Sequence, residues 1–455
     1  MAKQKKSINM VKVREDDSPI QFFSTQESEE FSFENKQQPV WCSGTTFSKH
    51  ELRTRIEPWL TSLFQSEHLS LLIGSGLTSA VQYAACEKAD NGMGAGARFT
   101  IFADEINKAA DKMAKAAHRG TSNLEDQIRA ANDLIRGLEI IKDLREFPQL
   151  TQWLIQLKED LIATIEAFTS GISRSEYLIA SATWAKKEEA FHRLILFLMS
   201  FASRTGTRER LHIFTTNYDR LIEAGADLAG LRLIDRFVGV LSPIFRSSRM
   251  DVDMHYNPPG IRGEPRYLEG VARFTKLHGS LDWLNVGDDI RRIGLPFGAK
   301  TLRPFLEAEG IGGDYSRLMI YPNSTKDRET AEYPYVELFR DFAAALCRPN
   351  STLVTYGYSF GDDHINRVIR DMLTIPSTHL VVIAYDDSSD RILKGYKMCG
   401  RKSQVSLLVG KAVADLGELV QYYLPKPAID RATMRMAEIL RQRFSQPYDN
   451  KMEGK

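Results

Sequence analysis

The chain has 455 residues, 43% of them hydrophobic, with 60 basic against 59 acidic side chains. That length supports a large core and two or more structural units, and the balanced charge excludes a general binder of nucleic acid or acidic membrane, which carries a basic surplus. Four scattered cysteines (Cys42, Cys86, Cys347, Cys399) show no Cys-x-x-Cys spacing, which excludes a zinc ribbon and a disulfide framework. The basic start (Lys3, Lys5, Lys6) is followed by no apolar signal-peptide core, and the longest apolar run, about Leu194 to Ala202, is too short to span a bilayer. A soluble cytoplasmic protein is expected, with no membrane contact and no direct nucleic-acid binding.

Residues 1–50 mix charge, Ser, Gln and Glu with sparse aromatics (Phe22, Phe23, Phe31, Phe33, Trp41), the composition of an extended or partly disordered arm. Those aromatics dock either on the protein's own core or on another subunit, and the sequence leaves both open. Helical spacing of Leu52, Ile56, Trp59, Leu60 and Leu63 predicts a helix from Lys49 to about Phe64. Leu69 to Ile73 then reads as a buried strand, Gly74-Ser75-Gly76 as a tight turn, and Thr78 to Ala85 as a helix. Strand, glycine turn and helix is a geometry that presents backbone amides to a phosphate, with glycines admitting close approach. The same glycines also serve many α/β proteins simply to turn. Asn91 to Ala97 (NGMGAGA) reads as a flexible connector or, although it follows a helix and not a strand, as a second nucleotide loop.

From 103 to 205 Gly and Pro become rare and apolar residues recur at spacings of three and four. Leu134, Leu138, Ile141 and Leu144 form one series; Leu150, Trp153, Leu157, Leu161 and Ile165 another; Phe191, Leu194, Ile195 and Leu198 a third. These predict an inserted helical subdomain whose stripes are core. The α/β pattern returns with Leu211 to Asp219, LHIFTTNYD, where a β-branched strand breaks into Asn217-Tyr218-Asp219. One reading gives Asn217 and Asp219 to a ligand at the strand's carboxyl end; the other makes one of them the N-cap of the next helix.

A Gly/Pro-rich loop is expected from Arg246 to Arg266, then a strand ending at His278-Gly279-Ser280. That His is either a satisfied structural residue or a catalytic one, with Gly279 letting substrate or backbone come close. Leu318 to Tyr321 reads as a short strand and Tyr335 to Cys347 as a helix. Leu353 to Tyr356 runs into Gly357 and Ser359, and Asp362, Asp363 and His364 read as the acid-rich start of a helix in preference to metal ligands. HLVVIAYDDS supplies a buried strand with Asp386 and Asp387 at its end, where an acid suits ribose hydroxyls. A last strand and helix follow in VSLLVGKAVADLGELV, then a charged helix from Asp430 to Phe444 and a polar tail. The predicted fold is α/β: a Rossmann-like, mostly parallel sheet with an inserted all-helical subdomain.

In order and type, GSGLTS, TTNYD, KLHGS, GYSFGDD and AYDD resemble the motifs of the sirtuin family. The likeness covers about residues 68–100 and 206–420, so the expected units are an arm at 1–50, a sirtuin-like Rossmann domain at 51–102 and 206–425, the helical insertion at 103–205 and a C-terminal helix and tail at 426–455. Two features of sirtuin deacylases are missing from the sequence, the four-cysteine zinc module and the acceptor-side stretch after the first glycine turn. With the tyrosine of TTNYD and the helical insertion, those departures resemble the bacterial antiphage-defence branch. Such a resemblance implies hydrolysis of NAD at the nicotinamide–ribose bond without a metal, in a homo-oligomer controlled by a regulatory protein encoded nearby. It implies catalytic roles for Asn217, His278 and Asp219, and NAD contacts for Gly74, Ser75, Gly76, Thr216, Gly357, Ser359 and Asp386. Two other classes are compatible with the sequence: an NAD-dependent protein deacylase, which the missing modules disfavour, and a non-catalytic sensor of NAD or an ADP-ribose derivative, which needs neither a base nor a water-positioning amide.

Overall fold

The computed structural model describes residues 8–13, 16–24, 30–34, 39, 41–42, 44–88, 96–116, 122–144, 147–204, 209–256, 266–319 and 333–426. Four short strands open the chain: β1 (Asn9–Lys12), β2 (Ile20–Ser24), β3 (Glu30–Phe33) and β4 (Thr46–Ser48). Helix α1 (Lys49–Phe64) starts where Ser48 and Glu51 exchange side-chain and backbone bonds in a capping box. Strand β5 (His68–Ile73) leads into α2 (Ser75–Cys86). Four helices follow: α3 (Ala103–Ala116), α4 (Leu124–Leu144), α5 (Pro148–Ala180) and α6 (Trp184–Ala202). Then come β6 (Leu211–Thr215), α7 (Leu221–Ala229) and β7 (Arg232–Ile234). The short strands β8 (Phe237–Val238), β9 (Ile244–Phe245), β10 (His255–Tyr256) and β11 (Arg266–Tyr267) precede β12 (Val271–Lys276), and β13 (Trp283–Val286) and β14 (Asp289–Arg292) follow it. The remaining long strands are β15 (Ser351–Tyr356), β16 (His379–Ala384) and β17 (Val405–Val409).

Among the described residues eleven strands form one sheet, in the order β4-β3-β2-β1-β17-β16-β15-β5-β6-β12-β7. Its centre, β17-β16-β15-β5-β6-β12, is parallel throughout. From β5 the chain steps outward through β6 to β12, then returns across β5 to add β15, β16 and β17 on the other side. That is the strand order of dinucleotide-binding folds, and it puts the switch point between β5 and β15. The α/β, Rossmann-like expectation holds.

Alternate residues of these strands feed two cores, as a period of two requires. Leu71, Ile73, Ile213, Val354, Tyr356, Val381 and Ile383 face one cluster, while Leu72, Phe214, Leu353, Leu380 and Val382 face the other. Burial on both faces is what parallel strands need, and β6 and β15 are buried end to end.

Several expectations change. Much of the anticipated N-terminal arm is β1–β4, which extends the sheet antiparallel from β17 and seats Phe22, Phe31 and Phe47 in the protein's own core. Sparse aromatics in a polar stretch read as an arm because each strand is short and, in β2–β4, has only one buried position. Helix α6 does not keep company with α3–α5: Ala190, Leu194, Phe197, Leu198 and Phe201 pack in the sheet's core, and a Cβ on Gly225 of α7 would lie 2.7 Å from Leu194. Helices α3–α5 instead build a third core with residues that follow β6 and β12, among them Tyr218, Leu281, Leu284 and Leu295. The predicted strand at Leu318 is a single bridge to Leu284, and its remainder from 320 lies outside the described residues. The expected loop at Arg246 to Arg266 holds a 3-10 turn at Ser247–Asp251 and then β10, and it meets β11 at Arg266, with 257–265 outside the described residues. Positions 91–95 of the Asn91 to Ala97 connector and the C-terminal helix and tail also lie outside them.

Within β6, His212 is buried, its Nε2 lies 2.9 Å from Thr275 Oγ1, and its ring stacks on Phe214. Burial holds its pKa well below the usual 6.5, and Arg273, Arg348 and Arg236 add repulsion. The fold therefore holds a neutral imidazole, while the unfolded chain takes up the proton. Stability from this group is complete above pH 6.5 and declines below it, by up to about 1.4 kcal/mol per pH unit. Urea unfolding at pH 7.5 and 5.5 is expected to show that decline in the wild type and a smaller one in His212→Gln; equal declines would assign the effect to other groups.

Candidate active site

One row of residues crosses the parallel sheet in register: Lys276, Thr215, Ile73, Tyr356 and Ile383. One to three positions beyond it, at the carboxyl edge, stand His278, Asn217, Gly74, Gly357 and Asp386. Asn217 and His278 each follow the row by two residues, on strands β6 and β12 that pair with each other.

At the switch point the two glycine turns touch. A Cβ on Gly74 would come within 2.4 Å of Gly357 O, and one on Gly76 within 2.5 Å of Gly357 Cα. Gly357 itself sits at φ +60, in the left-handed region. Gly76 N donates to Gly357 O at 3.0 Å and Gly74 N to Tyr356 O at 3.0 Å. These glycines are therefore required by backbone meeting backbone, a different reason from the approach of a phosphate. Ser75, exposed at the first turn of α2, and the exposed Ser359 face outward from this joint.

Asn217 is buried, and its orientation follows from its partners. Its Nδ2 donates to Gly74 O at 3.0 Å and to Thr78 Oγ1 at 3.1 Å, while its backbone N–H goes to Thr215 Oγ1. A carbonyl only accepts, so the amide nitrogen must face Gly74, and Oδ1 is the atom left to meet a hydroxyl or water. Thr78 Oγ1 in turn donates to Asp219 Oδ2 at 2.6 Å, and Asp219 Oδ1 accepts from Leu221 N at 3.0 Å. Asp219 thus bonds the N–H of Leu221 at the start of α7, whose N-cap is Arg220, and through Thr78 it is tied to Asn217. Thr216, half-buried, donates its N–H to Ile73 O.

The Asn217 loop is held from below by the helical unit. Tyr218 inserts into the third core, with its hydroxyl donating to Glu125 of α4 at 3.1 Å and its ring edge-on to Phe168. Burial pushes its pKa well up, and the Glu125 carboxylate adds to that. Arg220 is buried against Glu176 of α5: its Nε lies 3.3 Å from Oε1, its Nη2 bonds Oε2, and its backbone N–H donates to Oε1 at 2.8 Å. Burial raises the Glu176 pKa, and Arg220 opposes that rise. Lys276, also buried, donates to Asp219 O and pairs with Glu223 at 3.0 Å.

His278 is half-buried, 6.3 Å ring to ring from Tyr218 and 5.8 Å from His364. Gly279 after it takes φ +88, and a Cβ there would meet Met319 O at 1.8 Å, so backbone is what comes close. Asp362 and His364, at the start of the helix Asp363–Met372, bring donor atoms to within 4.8 Å of those of His278 and of each other. Asp386 is exposed beyond β16 and accepts from Ser388 N, while the neighbouring Asp387 caps the helix Arg391–Met398.

Sequence reasoning missed Thr78, Glu125, Glu176 and the approach of His364 to His278. Thr78 had a visible signal, a hydroxyl one turn into the helix after a glycine turn. The other three join residues far apart in the chain, and no local pattern marks them.

Fold and edge together define a Rossmann-like protein whose candidate site lies at a dinucleotide-type switch point. Residues 211–399, from β6 through the helix Arg391–Met398, match the family model of the SIR2-like domain. The match supports a sirtuin-like family and a sirtuin-like, NAD-related function, and it contains Asn217, His278, Gly357 and Asp386. No curated protein matches the chain. No helix among the described residues is long and apolar enough to cross a membrane.

Removing one partner of a buried ion pair leaves the other charge uncompensated, typically at about 3–5 kcal/mol. Glu176→Gln is expected to lower the unfolding free energy by roughly that amount, measured by urea titration. A loss below ~1 kcal/mol would mean that Arg220 is solvated and does not hold the loop.

Proposed function

We propose that the protein hydrolyses NAD at the nicotinamide–ribose bond, releasing nicotinamide and ADP-ribose. The observation that supports this reading is the register by which a fixed amide and an imidazole each follow the ends of adjacent parallel strands by two residues, at the carboxyl edge near the switch point. Cleavage moves the C1′–N electron pair onto nicotinamide and builds positive charge on the ribose carbon; water attacks that carbon, and its proton is taken by His278. Asn217 Oδ1 orients the ribose or the attacking water. Asp219 acts through Thr78 and the loop. Ser75 and the N-terminus of α2 face the pyrophosphate, Thr216, Gly357 and Ser359 adjoin it or the ribose, and Asp386 accepts from the adenosine ribose. Nicotinamide already leaves as a neutral molecule from a cationic substrate, so this path calls for no metal.

Purified protein incubated with NAD, with products separated by chromatography, is expected to release nicotinamide and ADP-ribose without an acyl-lysine peptide. Asn217→Ala and His278→Ala are each expected to lose about 10²-fold or more while melting like the wild type. Turnover near wild type in both variants would remove the assigned site. Release that requires an acyl-lysine peptide would make the protein a deacylase, and stoichiometric binding without breakdown would make it a sensor.

The reading extends to an effector role in antiphage defence, in which depletion of NAD is restrained by a partner protein and by self-association. Self-association has support at the tip of the helical unit, where Ile140, Ile141 and Leu144 of α4 and Phe147 before α5 are exposed, Leu144 at 76%, although helical spacing predicts Ile141 and Leu144 in the core. Light scattering is expected to give a mass above one chain for the wild type and a lower one for the double variant Leu144→Glu, Phe147→Glu. A single-chain mass for the wild type would remove this face from self-association.

A further inference from the structure

Two segments far apart in the chain converge beside the candidate base. His278 is fixed by the turn after β12, where Gly279 packs on Met319 O. Asp362 and His364 are fixed by the first turn of the helix after β15. One donor atom from each of the three lies within 4.8 Å of the other two, and all three residues are half-buried. Around an ion with bonds of about 2.0–2.1 Å, neighbouring donors on a tetrahedron stand about 3.4 Å apart. Gathering the three donors around one ion requires them to close that difference by rotating about their own side-chain bonds.

From this convergence we propose that His278, Asp362 and His364 form a binding site for a divalent ion of the zinc class. Two imidazoles and one carboxylate suit zinc and its transition-metal neighbours and not magnesium or calcium, which prefer oxygen donors. The positive end of the helix opposes a cation with roughly +0.5 elementary charge, and the carboxylates of Asp362 and Asp363 outweigh it. The consequence rests on the proposed hydrolysis. A ring nitrogen that donates its lone pair to the metal does not accept a proton, so the ion switches off the base. Zinc binding is a reversible restraint on NAD cleavage, and removal of the ion releases it.

The test uses the full-length protein, stripped with a chelator and titrated with zinc against a chromogenic zinc indicator, with NAD cleavage followed by chromatography at the same zinc concentrations. One equivalent of zinc is expected to bind, magnesium is not expected to compete, and NAD cleavage falls in step with occupancy. Asp362→Asn and His364→Ala are each expected to weaken zinc binding by roughly ten-fold or more. Both are also expected to abolish a zinc-dependent rise in Tm, with apo Tm values near the wild type. No stoichiometric binding, or binding unchanged in both variants as zinc held by Cys347 or Cys399 would be, overturns the site. Zinc that binds through these residues while NAD is cleaved at the unliganded rate overturns the switch. Triad-dependent binding in a protein that never cleaves NAD supports the site and defeats the hydrolase reading instead.

Discussion

The buried contact between Arg220 and Glu176 is the constraint on which the candidate site depends. A strand end is a poor platform for an amide, because nothing in a parallel sheet fixes the first residues of the loop that leaves it. Here the loop is fixed from three sides: Arg220 on α5, Tyr218 on α4, and Lys276 donating to the carbonyl of Asp219. Two buried charges gain little net stability over apolar residues of the same volume, since each loses its hydration. Their effect here is specification, because a guanidinium bonded to a carboxylate and to the carbonyls of Leu295 and Pro296 has one orientation. The helical unit thereby becomes part of the site's foundation, although none of its residues stands on the sheet's edge.

With the loop fixed, the rest is set by backbone geometry. The Gly74–Gly357 joint brings the ends of β5 and β15 closer than any side chain allows, and Gly74 O then receives the Asn217 amide. Thr78 closes the circuit to Asp219, so the amide is held by a carbonyl and a hydroxyl whose own positions are determined. A preorganised amide of this kind pays its orientational entropy at folding, not when a ligand arrives.

Much of the fold was legible because its signals are local. Mostly apolar runs such as Leu69 to Ile73 and Leu353 to Tyr356, broken only by Ser70 and Thr355, mark buried parallel strands, and a strand, a glycine and a polar turn mark the edge. The residues that define the edge were legible for the same reason. What the residues do there was less so. Gly74, Gly76 and Gly279 invite the idea of a ligand coming close, yet each admits a neighbouring backbone. Strands β1–β4 were hidden because runs of three to five residues are too short to make a periodic signal. The ties of Tyr218 to Glu125, Arg220 to Glu176 and the approach of His364 to His278 are tertiary, and no spacing in one sequence encodes them. Helix α6 carries the same stripe as α5, and only packing tells that it covers the sheet.

The central claim is that Asn217 and His278 face one sugar of a bound dinucleotide. It is tested most directly by a crystal structure with a carbocyclic NAD analogue, which keeps the shape of NAD and resists cleavage. The account predicts the pyrophosphate over the start of α2 and the nicotinamide-side ring between Asn217 Oδ1 and the His278 imidazole, within hydrogen-bond reach of both. An analogue bound elsewhere, or with its nicotinamide-side ring away from either group, would contradict it.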